Sequence, residues 1–152
     1  MDVLEVGPGT GYFSIHFAKY LNKGKLYLLD IQQEMLEIAE KRIERKGMKN
    51  VEYKITDGNA IDYQNNSFDR IFLVAVFGEI ENKRTYLTEF NRIMKTGGLL
   101  SISEMWGDPD KLSIDQINEL MKGTGFKFYK LYGKKCNYTV IYRKYKKIKD
   151  YE

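Results

Sequence analysis

The stretch Glu5-Val-Gly-Pro-Gly-Thr-Gly11 decides the fold of this chain. An apolar run at residues 3–6 leads into it with the pattern of a buried strand, and residues 12–21 follow with the apolar spacing of a helix. Glycines at every second position let the backbone turn sharply and leave room for a ligand where a side chain would collide. A strand, a glycine loop and a helix start in this order predict a nucleotide-type cradle.

The chemistry of the loop argues against a dinucleotide. A dinucleotide site expects G-x-G-x-x-G, and here Tyr12 stands where the third glycine would be. Pro8 removes one N–H donor from the loop. The Glu5 carboxylate would repel a phosphate about 4 Å away by roughly 1 to 4 kcal/mol. The loop therefore favours a positively charged nucleoside without phosphates.

The pattern Glu5-x-Gly7-x-Gly9-x-Gly11 resembles motif I of the class I S-adenosylmethionine-dependent methyltransferases. Their cofactor carries a sulfonium, an ammonium and a carboxylate, and no phosphate, which agrees with the loop chemistry. The resemblance implies a sheet with the strand order 3-2-1-4-5-7-6, in which strand 7 is antiparallel.

The remainder of the chain agrees with that fold, because strand and helix patterns alternate and end in a hairpin. We predict an α/β, Rossmann-like, doubly wound, mostly parallel sheet in one domain over residues 1–152. Strands are expected at 3–6, 25–29, 51–55, 71–77, 99–103, 126–132 and 138–145. Helices are expected at 12–21, at 33–46, from Asn82 to a stop at Thr96-Gly97-Gly98, and from Ser113, which opens a capping box with Gln116.

The resemblance also assigns roles to particular residues. Its glycine motif would wrap the methionine part of the cofactor, and the acids after strands 2 and 3 would bind the ribose and the adenine amino group. The backbone carbonyls after strand 4 would accept from the cofactor ammonium. The alternatives are an N-cap role for Asp30 and an Asx-turn for Asp57. The cofactor-binding set is Glu5, Gly7, Gly9, Gly11, Asp30, Ile31, Asp57, Gly58, Asn59 and Ala75, with Val76 beside it.

Several segments resemble the small-molecule branch of the family, including the ubiquinone/menaquinone-biosynthesis type. They are residues 68–71, residues 77–80 and Ser103-Glu104. The Asn/Asp-Pro-Pro-aromatic motif of nucleic-acid enzymes is absent after strand 4, so we expect a small-molecule acceptor and no nucleic acid. No metal ion is expected, and the sequence does not identify a catalytic base among Glu79, Glu104 and Tyr138. A cofactor-binding partner subunit without activity, or a truncated domain, remains an alternative, and an NAD-binding protein is disfavoured.

Composition suggests a cytoplasmic protein without a membrane span. The 152 residues include a single cysteine, which excludes an internal disulfide framework. The net charge of +4 is uneven, since residues 126–152 hold nine Lys or Arg against two Asp or Glu. This basic end either contacts nucleic acid or anionic lipid, or is a solvated edge hairpin whose lysines oppose aggregation. We favour the second interpretation, the solvated edge hairpin.

Related domains place helices before the first strand, whereas here Met1 comes two residues before it. We therefore expect that one face of the apolar run at 71–77 lies beyond the reach of the first two helices. Such a bare apolar face predicts a homo-oligomer or an exposed part of the sheet.

Overall fold

The computed structural model describes residues 1–145, and all of its strands belong to one sheet. The strands are β1 (Asp2–Val6), β2 (Lys25–Asp30), β3 (Val51–Ile55), β4 (Phe68–Val74), β5 (Met94–Glu104), β6 (Phe126–Lys134) and β7 (Asn137–Lys144). The helices are α1 (Tyr12–Tyr20), α2 (Gln33–Arg45), α3 (Lys83–Ile93) and α4 (Ile114–Met121), with a 3-10 turn at Phe77–Glu79.

The strand order is β3-β2-β1-β4-β5-β7-β6, as the sequence predicts. Strands β1 to β5 pair in parallel, and β7 runs antiparallel to both β5 and β6. The order reverses between β1 and β4, where open α/β sheets bind ligands beyond the carboxyl ends of their strands. The glycine loop follows β1 at this point.

Two apolar cores lie on opposite faces of the sheet. On one face, α1 and α2 pack against β1 and β2 through a cluster that includes Leu26, Leu28 and Ala39. On the other face, α3 and α4 cover β4, β5 and β7 in a larger cluster that includes Phe90 and Ile117. The capping box predicted at α4 is present, since Ser113 Oγ accepts from Gln116 N–H at 3.1 Å and Gln116 Oε1 accepts from Ser113 N–H at 2.8 Å.

Two predicted boundaries around the central strands were wrong. The strand predicted at 71–77 ends at Val74, because Ala75 has φ 55° and turns the chain away from the sheet. The glycine stop at Thr96-Gly97-Gly98 lies inside the bounds of β5 instead of ending α3. It forms an irregularity there, and regular pairing with β4 resumes at Leu99 opposite Arg70.

The expected bare face of β4 is also corrected by the structure. Phe72 is only 7% exposed, and the ring of Phe17 on α1 lies 4.0 Å from its ring, so α1 does reach this strand. Among the described residues, no helix is long and apolar enough to cross a membrane.

Candidate functional site

A cavity of about 950 Å³ opens at the carboxyl ends of β1, β2 and β4, within the size range of small-molecule sites. Nine of the ten predicted cofactor-binding residues line it. They are Glu5, Gly7, Gly9, Asp30, Ile31, Asp57, Gly58, Asn59 and Ala75. Gly11 lies behind the wall, where an added Cβ would come 3.0 Å from Ala39 Cβ, so this glycine allows α1 and α2 to pack closely.

At two positions the glycine loop has a positive φ, a backbone conformation that residues with side chains rarely adopt. Gly7 has φ 67°, and a Cβ placed on it would lie 2.7 Å from Val76 Cγ1 on the opposite wall. Gly9 has φ 57°, but a Cβ there would meet nothing within 4 Å. Gly7 is therefore required for the close approach of two walls, and Gly9 for its backbone conformation alone.

Glu5 is a buried carboxyl group on the cavity wall, and no cation among residues 1–145 pairs with it. Its side chain is 2% exposed, and its register neighbours Leu28 on β2 and Phe72 on β4 are apolar. Ser14 on α1 donates its hydroxyl to Glu5 Oε2 at 2.5 Å. Burial raises the pKa of Glu5 to about 7, and the Ser14 hydrogen bond opposes part of that rise. A cationic ligand in the cavity would supply the missing partner.

The two acids predicted to bind the nucleoside stand at the ends of β2 and β3, and each already forms a turn. Asp30 Oδ1 accepts from Gln32 N–H at 3.0 Å. The N-cap residue of α2 is Gln32, so Asp30 does not have the alternative N-cap role. Asp57 Oδ1 accepts from Asn59 N–H at 2.8 Å, and this bond chiefly lowers the pKa of Asp57. The Asx-turn alternative is therefore realised at Asp57, and it holds the carboxylate on the cavity wall.

Sequence reasoning missed Tyr86, which reaches the same end of the cavity from α3. Its side chain is buried, and its hydroxyl lies 3.6 Å from a Cβ placed on Gly58. Burial raises the pKa of Tyr86, and the carboxylates of Asp30 and Asp57 raise it further. A phenol and two carboxylates thus converge where a nucleoside would lie, a grouping that no local motif reveals.

Ala75 and Val76 form the wall opposite the glycine loop. The positive φ of Ala75 is uncommon outside glycine, and its N–H is held by Ser103 O at 2.9 Å. The turn places Val76 against Gly7. Backbone strain of this kind concentrates at binding sites.

Three acidic residues are grouped at another end of the cavity. Glu79 lines the cavity, and one of its carboxylate oxygens lies within 4.8 Å of one oxygen each of Asp108 and Asp110. Burial raises the pKa of Glu79, with smaller contributions from Asp108, Asp110 and Asp30. Of the three candidate bases in the sequence, Glu79 alone lines the cavity.

The other two candidates hold a loop in place. Buried Glu104 accepts from Leu112 N–H through Oε2 at 3.1 Å, and the Tyr138 hydroxyl donates to Leu112 O. Trp106, which lies in the same loop, is 79% exposed and is neither in the core nor on the cavity wall. His16 is exposed on α1.

Comparison with known proteins identifies the family. Residues 1–149 match a family model described as a methyltransferase domain. The chain is 35% identical over 104 residues to the ubiquinone/menaquinone biosynthesis C-methyltransferase UbiE of Hydrogenovibrio crunogenus, a match covering 67% of this chain and 41% of that protein. The enzyme of the same name from Teredinibacter turnerae is 31% identical over 104 residues, covering 67% and 42%. These matches span about two fifths of the relatives' length.

Solved structures agree with the family model. An S-adenosylmethionine-dependent methyltransferase from Aquifex aeolicus superposes with a TM-score of 0.89 at 26% identity, over 95% of this chain and 82% of that chain. A methyltransferase structure from Methanosarcina mazei shares the fold, with a TM-score of 0.79 at 17% identity, over 95% and 92%. The chain therefore belongs to the methyltransferase domain family and has the class I S-adenosylmethionine-dependent methyltransferase fold.

Proposed function

We propose that the chain binds S-adenosylmethionine in this cavity and moves its methyl group to a small-molecule acceptor. The observation that carries the proposal is Glu5, a buried carboxyl group on the cavity wall with no cationic partner among residues 1–145. Uncompensated buried carboxylates are costly, and a sulfonium or ammonium group would compensate this one. A dinucleotide pyrophosphate would make the cost larger.

We assign the remaining wall residues to different parts of the cofactor. Gly7 and Gly9 keep side chains away from its methionine part, while Asp30 accepts from the ribose hydroxyls, for which Oδ2 is available beside the turn. Asp57 and Tyr86 lie at the adenine end, and Ile31 offers an apolar surface for the ring. Carbonyl groups at Ala75 and Val76 receive the ammonium.

The bound cofactor supplies a methyl group that its sulfonium has already activated. The protein contributes mainly position and exclusion of water, which can account for most of the rate in an in-line displacement. We assign to Glu79 the removal of a proton from the acceptor, because its carboxylate faces the cavity and its raised pKa makes it a stronger base. With the cofactor bound, the methyl group would pass to the acceptor atom as the C–S bonding pair stayed with sulfur, and Glu79 would take the proton that the acceptor atom loses.

The acceptor is expected to be small and partly apolar. Ile80 and Val76 line the cavity next to Glu79. The curated relatives are named as C-methyltransferases of ubiquinone/menaquinone biosynthesis, which supports a small-molecule acceptor and a carbon atom as the methylated position. Nucleic acid is not expected as the acceptor.

Transfer of radiolabelled methyl groups to a fractionated lysate tests the proposal. Label should appear in the small-molecule fraction, and Glu79→Gln should lower turnover about a hundredfold, the low end for loss of a general base. Glu119→Gln, a surface acid on α4, is the matched control and should keep full activity. Label in protein or nucleic acid would contradict the choice of acceptor. Cofactor binding without any transfer would indicate a non-catalytic partner subunit instead.

A further inference from the structure

The β6–β7 hairpin presents an unusual surface at the edge of the sheet. Residues 126–145 contain six Lys or Arg and no Asp or Glu. Along β6, every residue after Phe126 is exposed. Four of these exposed residues are large hydrophobic residues, namely Phe128, Tyr129, Leu131 and Tyr132. Each has between 39% and 56% of its surface accessible to solvent, so together they form an exposed apolar patch.

The loop that carries Trp106 continues this surface. The backbone N–H of Trp106 donates to Asn137 Oδ1 at 2.8 Å, which fixes the loop to the start of β7. Lys111 Nζ donates to the carbonyl groups of Lys135 and Cys136 in the hairpin turn. The Trp106 ring and the neighbouring Met105 side chain remain exposed. We call Met105, Trp106, Lys127, Phe128, Tyr129, Lys130, Leu131, Tyr132, Lys134 and Lys135 the hairpin surface.

Three cations lie against tyrosine rings along this edge. Lys130 Nζ lies 4.8 Å from the centre of the Tyr132 ring, and Lys127 Nζ lies 5.0 Å from that of Tyr145. On the adjoining strand, the Arg143 guanidinium lies 4.1 Å from the Tyr129 ring. Amphipathic rings interleaved with lysines suit a boundary between an apolar phase and anionic groups.

Charge limits what can cover this surface. A second copy of the hairpin would bring two acid-free basic strands together, so the two would repel. Single-stranded nucleic acid is usually held in a basic groove with stacked bases. Here the cations lie on an outer edge, Leu131 and Met105 offer no ring for stacking, and the neighbouring cavity mouth is acidic at Glu79 and Asp108.

We propose that the hairpin surface docks this protein onto membranes that contain anionic lipids. The lysines contact headgroup phosphates, while Trp106 and the β6 rings enter the boundary between headgroups and acyl chains. Repulsion of the acidic group at Glu79, Asp108 and Asp110 from the headgroups would favour the orientation in which the acid-free hairpin edge faces the membrane. If the proposed transferase activity holds, this docking places the cavity beside acceptors that dissolve in lipid.

Trp106 makes the proposal directly measurable, because it is the only tryptophan in the chain. Its fluorescence should shift to the blue and be quenched by brominated acyl chains when phosphatidylcholine vesicles containing phosphatidylglycerol are added. Vesicles of phosphatidylcholine alone should produce a much smaller change, and raising the salt concentration should reverse the shift. The measurement needs no cofactor, so it can fail or succeed independently of the transferase activity.

Matched variants separate the hairpin from general charge. Lys127→Gln with Lys130→Gln should lower the partition onto anionic vesicles about thirtyfold, since each cation at such a surface contributes roughly fivefold. Lys46→Gln with Lys49→Gln removes two exposed lysines near the opposite, β3 edge and should change the partition far less. In vesicle flotation, Trp106→Ser should weaken binding, and Tyr20→Ser, which removes an 82% exposed ring on α1, should not.

Three outcomes would overturn the proposal. The first is an unchanged Trp106 spectrum with anionic vesicles at low salt. The second is an equal loss of binding in the hairpin variants and their controls. The third is salt-sensitive binding to a single-stranded RNA oligonucleotide, lost in the Lys127/Lys130 variant, without any vesicle binding; this would replace lipid by nucleic acid as the occupant.

Discussion

The proposed cofactor side and the proposed acceptor side of the cavity are built in different ways. On the cofactor side, the backbone sets the geometry: Gly7 and Gly9 adopt positive φ, and Asp57 folds its own turn within three residues. On the acceptor side, contacts between distant parts of the chain set it: a Cβ placed on Gly78 would lie 1.8 Å from Asp110 O, and Glu79 is grouped with Asp108 and Asp110. The first side is therefore encoded locally, and the second depends on the assembled sheet.

The largest effect is expected at the cofactor side, from Gly7→Ala. It should destabilise the protein by roughly 2 to 4 kcal/mol, because left-handed strain and a clash with Val76 act together. Gly9→Ala shares the strain without the clash and should cost only about 1 to 2 kcal/mol. Urea denaturation of both variants measures the difference, and Val76→Ala should restore part of the loss in Gly7→Ala only. Equal losses in the two variants would contradict the assigned contact.

Glu5→Gln should have opposite effects on stability and on binding. The folded pKa of about 7 lies above the ordinary value of 4.5, so the folded state holds a proton that the unfolded state releases between these pH values. The contribution of Glu5 to stability is therefore lost as pH rises from about 4.5 to about 7. At pH 8 the neutral glutamine should make the cofactor-free protein more stable by roughly 2 to 3 kcal/mol.

The same substitution should weaken cofactor binding, since it removes the charge that faces the cation. In the wild type, affinity should increase with pH as Glu5 ionises, and this dependence should disappear in Glu5→Gln. Urea denaturation at pH 5 and pH 8, with calorimetric titrations at both, tests the two effects. Stability differences between wild type and variant that do not change with pH would contradict the buried, proton-binding carboxyl group.

The smallest effect is expected far from the cavity, at the start of α4. Ser113→Ala removes the acceptor for Gln116 N–H and should cost about 1 kcal/mol of stability. Ser113→Asp keeps an acceptor at this position and should retain most of it. Neither variant should alter cofactor affinity. A change in affinity would show that α4 is coupled to the cofactor side more strongly than the contacts indicate.

Local patterns in the sequence predict the cofactor side well. The alternation of apolar runs and glycines placed β1, β2, α1 and α2, and the family resemblance supplied the strand order. The resemblance assigned Asp57 and Gly58 to the site, and they line the cavity just after β3. Their functions as cofactor ligands remain predictions.

The sequence could not predict features that depend on tertiary contacts. The run ending in Val-Ala-Val-Phe77 favours a strand throughout, and the turn at Ala75 is held by Ser103 on the neighbouring strand. Lys144 belongs to the basic end by sequence, yet it is fully buried. Its Nζ donates to Asn91 O and to Met94 O, the latter at 2.6 Å, so it satisfies carbonyl groups at the end of α3. Lys146 and Lys147, which belong to the same basic end, lie outside the described residues.

Calorimetric titration with S-adenosylmethionine, comparing the wild type with Asp30→Ala, tests the central claim most directly. The wild type should bind S-adenosylmethionine and show no binding of NAD. Asp30→Ala should weaken binding by roughly 1.5 to 3 kcal/mol, as for hydrogen bonds to a charged group. Asp62→Ala, which changes an exposed acid outside the cavity, is the control and should bind as the wild type does. Equal affinity in wild type and Asp30→Ala, or tighter binding of NAD than of S-adenosylmethionine, would contradict the assignment of this cavity.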